Sequence, residues 1–257
     1  MSRGLALVTG ASSGLGAEFA RALARRKMNL VLVARRAEPM ERLADELRKR
    51  HEIEVLVQPM DLASPGSVAI LDERLDELKI APDILVNNAA FCFSGFFLDQ
   101  DPARIREMLQ LDILSLVELT HTFGRRMIKG SGGNVLLVAS LAAYQPDPLL
   151  DAYGVAKSFV LSFGEALHVE LAPKVGVTVV SPGLMETELF QVSGYQPKES
   201  LKRSMLPASE VAEQGVIAML SGKPSTVVGR LNKISAFASK FLPSQVTAKL
   251  VYRMSKE

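Results

Sequence analysis

The sequence has a single cysteine, Cys92, so no disulfide can close within the chain. No apolar run reaches the roughly eighteen residues of a membrane-spanning helix, and no span is expected. Only three histidines occur, at 51, 121 and 168. They are scattered over predicted helices without ligand spacing, so no metal is expected. Charge of one sign is lacking too. Thirty Lys and Arg against 28 Asp and Glu give a formal net charge of +2, which demands no polyanionic partner. The clusters Arg25-Arg26-Lys27, Arg48-Lys49-Arg50 and Arg125-Arg126 fall near predicted helix ends, where they complement the helix dipole; they read as solvated surface, not as a nucleic-acid contact. There is no internal repeat, no low-complexity segment and no linker, so one domain over residues 1–257 is expected. The first strand pattern begins within a few residues of Met1, which leaves no room for a signal peptide and gives a cytoplasmic reading.

What is present is an alternation of strands and helices, in a chain that is 48% hydrophobic and 23% charged. Strands are predicted at 5–8, 29–34, 54–57, 83–86, 134–138, 177–180 and 226–228. Helices follow Gly16 and are predicted at 40–50, 64–78, 102–129, 151–171 and 209–220, with Ser64-Pro65 as N-cap and first residue of the third. The strands are apolar runs without alternation, as in strands covered on both faces, so the expected fold is a doubly wound α/β sandwich on a parallel sheet.

The chain is organised around Thr9-Gly10-Ala11-Ser12-Ser13-Gly14-Leu15-Gly16, a strand passing directly into a helix. Glycines let the backbone approach a ligand closely, and the free N–H groups of the helix start favour a phosphate. Gly10, Ser12, Ser13, Gly14, Leu15 and Gly16 are therefore the candidate pyrophosphate cradle, although their G-x-x-x-G-x-G spacing differs from the usual dinucleotide fingerprint. A strand-end acid that would hold a ribose 2′-hydroxyl is missing, since Ala34 is followed by Arg35-Arg36. Planar guanidinium groups there suit a 2′-phosphate, which favours NADP(H).

Tyr153 and Lys157 lie four apart near the start of a helix and share one face. A neighbouring ammonium favours phenolate, so Lys157 is expected to lower the Tyr153 pKa towards the working range of an acid–base catalyst. Ser140 follows the fifth strand, where its hydroxyl can meet a substrate oxygen as charge develops. In order and spacing, Thr9 to Gly16, Asp61, Asn87-Asn88-Ala89, Ser140, Tyr153 to Lys157 and Pro182-Gly183 with Thr187 together resemble the short-chain dehydrogenase/reductase family along essentially the whole chain.

That resemblance implies a Rossmann-type sheet of seven parallel strands, a nicotinamide cofactor and hydride transfer between nicotinamide and a carbonyl or alcohol. Ser140, Tyr153 and Lys157 would be catalytic, with Lys157 also holding the nicotinamide ribose. Asp61 with Leu62 would meet adenine, or Asp61 would cap a helix. Asn87 would neighbour the adenosine ribose while Asn88 and Ala89 form the turn beside it. Thr187, after Pro182-Gly183, which also meet the cofactor, would bond the nicotinamide carboxamide. Asp112 stands where the family has an asparagine in a proton relay behind the lysine; a working relay with a shifted pH optimum is expected ahead of a crippled one, and the remaining alternative is that Asp112 faces elsewhere and pairs with a surface base. Phe91, Cys92, Leu141, Leu149, Leu184, Leu189 and Phe190 would wall an apolar substrate pocket, under a lid at about 185–206. The 235–257 tail, apolar and basic in turn, can pack on its own domain, build a subunit interface or touch a membrane surface, in that order. The expectation is an NADPH-dependent carbonyl reductase or alcohol dehydrogenase that works as a homodimer or homotetramer. An NADPH-sensing binding protein and a sugar-nucleotide epimerase or dehydratase are the alternatives.

Overall fold

A computed structural model of the chain describes residues 4–185 and 205–256. Seven parallel strands form one sheet: β1 (Leu5–Thr9), β2 (Asn29–Ala34), β3 (Val55–Pro59), β4 (Ile84–Asn87), β5 (Gly133–Val138), β6 (Val175–Ser181) and β7 (Ser225–Val227). Their spatial order is β3-β2-β1-β4-β5-β6-β7. Successive side chains on a strand point to opposite faces, so each apolar run feeds two cores at once. Ala6, Val8, Leu30, Leu32 and Leu136 pack on the side of α1 (Gly14–Arg25), α2 (Ala37–His51) and a later helix, Ala208–Leu220. Leu7, Val31, Val33, Val135 and Leu137 pack on the other side, against α3 (Ser67–Glu77) and the long helices between β4 and β6.

The third helix starts two residues later than the sequence suggests, at Ser67 with Gly66 as its N-cap. Ser64-Pro65-Gly66-Ser67 forms a turn in which Ser67 N–H donates to the Ser64 carbonyl at 3.1 Å and Gly66 takes φ +77°, so Pro65 sits in the turn and not in the helix. Proline followed by glycine at positive φ is the pattern of a type II turn, and this chemistry wins over the Ser-Pro cap signal.

The predicted 102–129 helix is also not continuous. It is α4 (Pro102–Leu109), capped by Asp101, then a π-helical stretch at Gln110–Ser115, then α5 (Leu116–Lys129). The Ser115 hydroxyl donates to the Gln110 carbonyl five residues back and to the Leu62 carbonyl, which fixes the wide turn to the end of β3. Wide turns of this kind are frequent at functional sites, and Asp112 lies inside this one.

After β5 come a short 3-10 turn at Leu141–Tyr144 and α6 (Asp151–Glu170). Beyond β6 are α7 (Ala208–Leu220), α8 (Arg230–Ser239) and α9 (Ser244–Lys256). The predicted tail is thus two helices, seated through buried Ala236 and Thr247. No described helix is long and apolar enough to cross a membrane. All three basic clusters are engaged in ion pairs: Arg25 and Arg26 both meet Glu213, Arg48 meets Asp45 and Glu41, Arg50 meets Glu46, and Arg126 meets Asp72 and Asp76.

Candidate active site

The strand order reverses direction between β1 and β4, and a crevice opens beyond the carboxyl ends of the strands at such a switch point. Here it is a cavity of about 720 Å³, which runs from Arg35, Arg36 and the glycine turn at one end to Ser140, Tyr153 and Lys157 at the other. Gly10 is at φ +67°, and a Cβ on it would stand 2.7 Å from Asn88 Nδ2. At Gly16 a Cβ would stand 2.2 Å from the Gly10 carbonyl oxygen. Backbone therefore lies directly on backbone at this turn. Ser13 is the N-cap of α1 but its hydroxyl makes no capping bond, so the first-turn N–H groups are left to face the cavity.

Thr9 holds the turn in place. Its Oγ1 donates to the Val86 carbonyl and accepts from the N–H groups of Asn88 and Ala89, at 2.9 and 3.0 Å, while Asn88 Nδ2 donates to the Thr9 carbonyl. Asn87 corrects the sequence reading: its side chain is buried and donates to Leu116 O and Thr120 Oγ1, away from the cavity. Strand alternation causes this, because consecutive residues at a strand end face opposite sides. Arg36 bridges the end of β2 to the glycine turn, donating to Ser13 Oγ at 3.0 Å and Ser12 Oγ at 3.3 Å. Arg35 lies 3.8 Å from Glu107. Asp61 lines the cavity and accepts from Ala63 N–H at 3.1 Å in a local turn; it caps no helix, since the N-cap of α3 is Gly66.

At the other end, Ser140 opens the 3-10 turn and its Oγ accepts from Ala142 N–H. Tyr153 and Ser140 line the same end of the cavity, and the Ser140 side chain favours the phenolate. Lys157 is almost fully buried. Its Nζ donates to the Val138 carbonyl at 3.3 Å, stands 3.3 Å from Asp112 Oδ2, and lies 5.5 Å from the centre of the Tyr153 ring. Asp112 has no solvent exposure; Oδ1 accepts from Phe91 N–H at 3.1 Å, and Oδ2 faces the ammonium. It pairs with Lys157 and not with a surface base, and it sits behind the cavity wall. Asp112 therefore meets the cavity only through Lys157 and Phe91. Burial pushes its carboxyl up, and the Lys157 ammonium and the Phe91 N–H offset part of that rise.

The Tyr153 phenol does not follow expectation. Burial pushes its pKa up, and negative charge at Cys92, Asp112 and Asp147 adds to the rise, against a lowering hydrogen bond from Ser140. The Lys157 ammonium, 5.5 Å from the ring centre, is held at the same time 3.3 Å from Asp112 Oδ2.

Of the expected substrate wall, Phe91, Cys92, Leu141 and Leu184 line the cavity, joined by Met185. Leu149 does not. It is held at φ +72° with its carbonyl accepting from Gly95 N–H, and Leu150 takes its place on the wall. Pro182 and Gly183 line the cavity, whereas Thr187, Leu189, Phe190 and most of the 185–206 segment lie outside the described residues. Sequence reasoning missed Leu231, Asn232, Ser235, Leu250 and Val251, which α8 and α9 bring to the same cavity. Asn232 fits against Gly183 because a Cβ there would come within 2.3 Å of its Nδ2. No local motif announces such residues.

Asp147 is another missed lining residue, and burial raises its carboxyl from 3.8 to about 6. Between those values the native state binds more protons than the unfolded chain, so stability falls as pH rises through about 4 to 6 and stays lowered above. Asp147→Asn is expected to raise stability at neutral pH by about 2–3 kcal/mol, with the gain vanishing near pH 4. Urea midpoints at both pH values check this; no gain at neutral pH contradicts it.

A doubly wound sheet whose switch-point cavity joins a glycine phosphate cradle to a Ser–Tyr–Lys cluster defines a nucleotide-binding oxidoreductase. Residues 4–197 match the family model for short chain dehydrogenases, and the chain belongs to the short-chain dehydrogenase/reductase family. It is 33% identical over 193 residues to the probable oxidoreductase EphD of Mycobacterium tuberculosis, covering 74% of this chain. The chain spans only 32% of the length of that relative. It is 28% identical over 256 residues to the human very-long-chain 3-oxoacyl-CoA reductase, covering 98% of this chain and 79% of the other. A short-chain dehydrogenase from Sphingobium yanoikuyae in complex with NADPH superposes with a TM-score of 0.81 at 28% identity, over 93% of each chain.

Proposed function

We propose that the protein is an NADPH-dependent reductase that moves a hydride between nicotinamide and an apolar ketone or aldehyde, or the corresponding secondary alcohol. One observation carries this reading. A single cavity has a glycine turn and two arginines at one end and Ser140, Tyr153 and Lys157 together at the other. The first-turn N–H groups of α1 would hold the pyrophosphate, Arg35 and Arg36 a 2′-phosphate, Asp61 the adenine, and Lys157 the nicotinamide ribose.

When bound, the nicotinamide supplies or accepts the hydride. Ser140 Oγ and Tyr153 Oη both donate hydrogen bonds to the carbonyl oxygen, and the Tyr153 proton passes to that oxygen as it becomes an alkoxide. A pKa raised by burial keeps the phenol protonated at neutral pH, which is the state a reduction uses. The phenolate left behind is stabilised by the nearby ammonium of Lys157, whose position Asp112 fixes. Phe91, Leu141, Leu150, Leu184 and Met185 exclude water around the reacting carbon.

The arginines provide the cofactor test. Replacing Arg35 and Arg36 by neutral residues is expected to weaken NADPH by about 1.5–3 kcal/mol and to leave NADH nearly unchanged. Equal affinity of the parent protein for NADH and NADPH, measured by titration, rules the NADP reading out. A carbonyl library screened for NADPH consumption tests the substrate class. Activity is expected on alkyl and aryl ketones, because apolar walls with few polar groups suit such ligands. Turnover confined to charged sugars or free amino acids defeats it.

A further inference from the structure

The last two helices carry an apolar face that no described residue covers. Leu231, Ile234, Phe237 and Phe241 follow one another at helical spacing and are 69%, 65%, 64% and 72% exposed. On α9, Val246 and Leu250 are also exposed, at 51% and 54%. The rings of Phe237 and Phe241 lie against each other, 5.0 Å between centres. Because Ala236 and Thr247 are buried, the helices have a defined inner side, and the exposed apolar side is an outward-facing surface. Around it stand exposed Arg230, Lys233, Lys240, Lys249 and Arg253, none in an ion pair among the described residues, and the sequence from 214 to 256 contains no Asp or Glu.

We propose that α8 and α9 dock this face into the headgroup–acyl boundary of an anionic lipid bilayer. Aromatic and aliphatic side chains on one face of a helix, rimmed by basic residues with no acid among them, match the chemistry of that boundary. A second copy of the chain is a poor occupant, since a self-pairing face would set these cations against their equivalents with no carboxylate nearby. Leu231 and Leu250 are exposed and also belong to the wall of the cavity that holds Ser140 and Tyr153. An apolar path therefore leads from the outer face to the Tyr153 hydroxyl, and a lipophilic carbonyl compound dissolved in the bilayer reaches it along that path. This delivery role rests on the reductase reading; the docking surface does not.

The experiment is flotation of the full chain with phosphatidylcholine vesicles, with and without about a third phosphatidylglycerol. The protein is expected to float with the anionic vesicles at about 0.1 M salt and to be released at about 1 M, where screening shortens the reach of the charges to about 3 Å. Phe237→Ser with Phe241→Ser, and separately the triple exchange Lys233→Gln, Lys240→Gln, Lys249→Gln, should each lower vesicle binding roughly tenfold or more. These exposed positions are outside the cavity, so NADPH binding and turnover of a water-soluble ketone should be unchanged, which also shows that the variants fold. Equal partitioning onto neutral and anionic vesicles, no binding to either, or unaltered binding by both variants overturns the proposal. So does a dimer in sedimentation equilibrium that Phe237→Ser with Phe241→Ser dissociates. Vesicle binding with no carbonyl turnover leaves the docking surface standing and removes the reductase reading instead.

Discussion

Tyr153→Phe is expected to lower turnover on the order of 10²-fold or more while leaving the fold and NADPH binding in place. The hydroxyl is the only atom removed, and the ring stays packed beside Lys157. In the parent protein that phenol is buried, and Ser140 lines the same end of the cavity. Ser140 still reaches the carbonyl oxygen in the variant, so electrostatic stabilisation persists while the proton has no donor. Steady-state rates on any good ketone, with NADPH titrated in parallel, give the answer. Near-parental turnover takes Tyr153 out of the mechanism.

Asp112→Ala is expected to be the most damaging change to stability. It leaves the Lys157 ammonium 3% exposed with only the Val138 carbonyl as partner, and an uncompensated buried charge costs about 3–5 kcal/mol. The Phe91 N–H loses its acceptor as well. Urea unfolding measures this, and a loss below about 1 kcal/mol contradicts the importance of the pair. Asp112→Asn separates structure from chemistry because it keeps the shape and removes the charge. Since negative charge at Asp112 helps to raise the Tyr153 pKa, the limb of the pH–rate profile set by Tyr153 should move to lower pH in that variant. Superimposable profiles would show that Asp112 has no influence on proton transfer.

The parts of the site legible in the sequence are those fixed by short-range spacing. Gly10, Gly14 and Gly16 mark a strand-to-helix turn because only glycine allows that approach of backbone to backbone, and Tyr153 and Lys157 share a helix face by the 3.6-residue period. The seven strands and the sheet's parallel, doubly wound build are also local. Buried strands read as apolar runs, and parallel strands need crossover helices between them.

Other features depend on what the chain meets in three dimensions. The Pro65-Gly66 turn and the wide turn at Gln110–Ser115 interrupt patterns that look helical, the second because Ser115 is bound to Leu62 from another element. Asn87 and Leu149 fail as site residues because strand alternation turns one away and a positive φ turns the other. The raised Tyr153 pKa arises from burial and from the charges that surround it, none of which a Tyr-x-x-x-Lys spacing contains. Sequence alone marked the glycine turn, Tyr153 and Lys157 as candidates, because their spacing is a property of single helices and turns. Only the tertiary structure decided that Asp112 engages Lys157 and that α8 and α9 complete the cavity, because burial and long-range packing are properties of the whole fold.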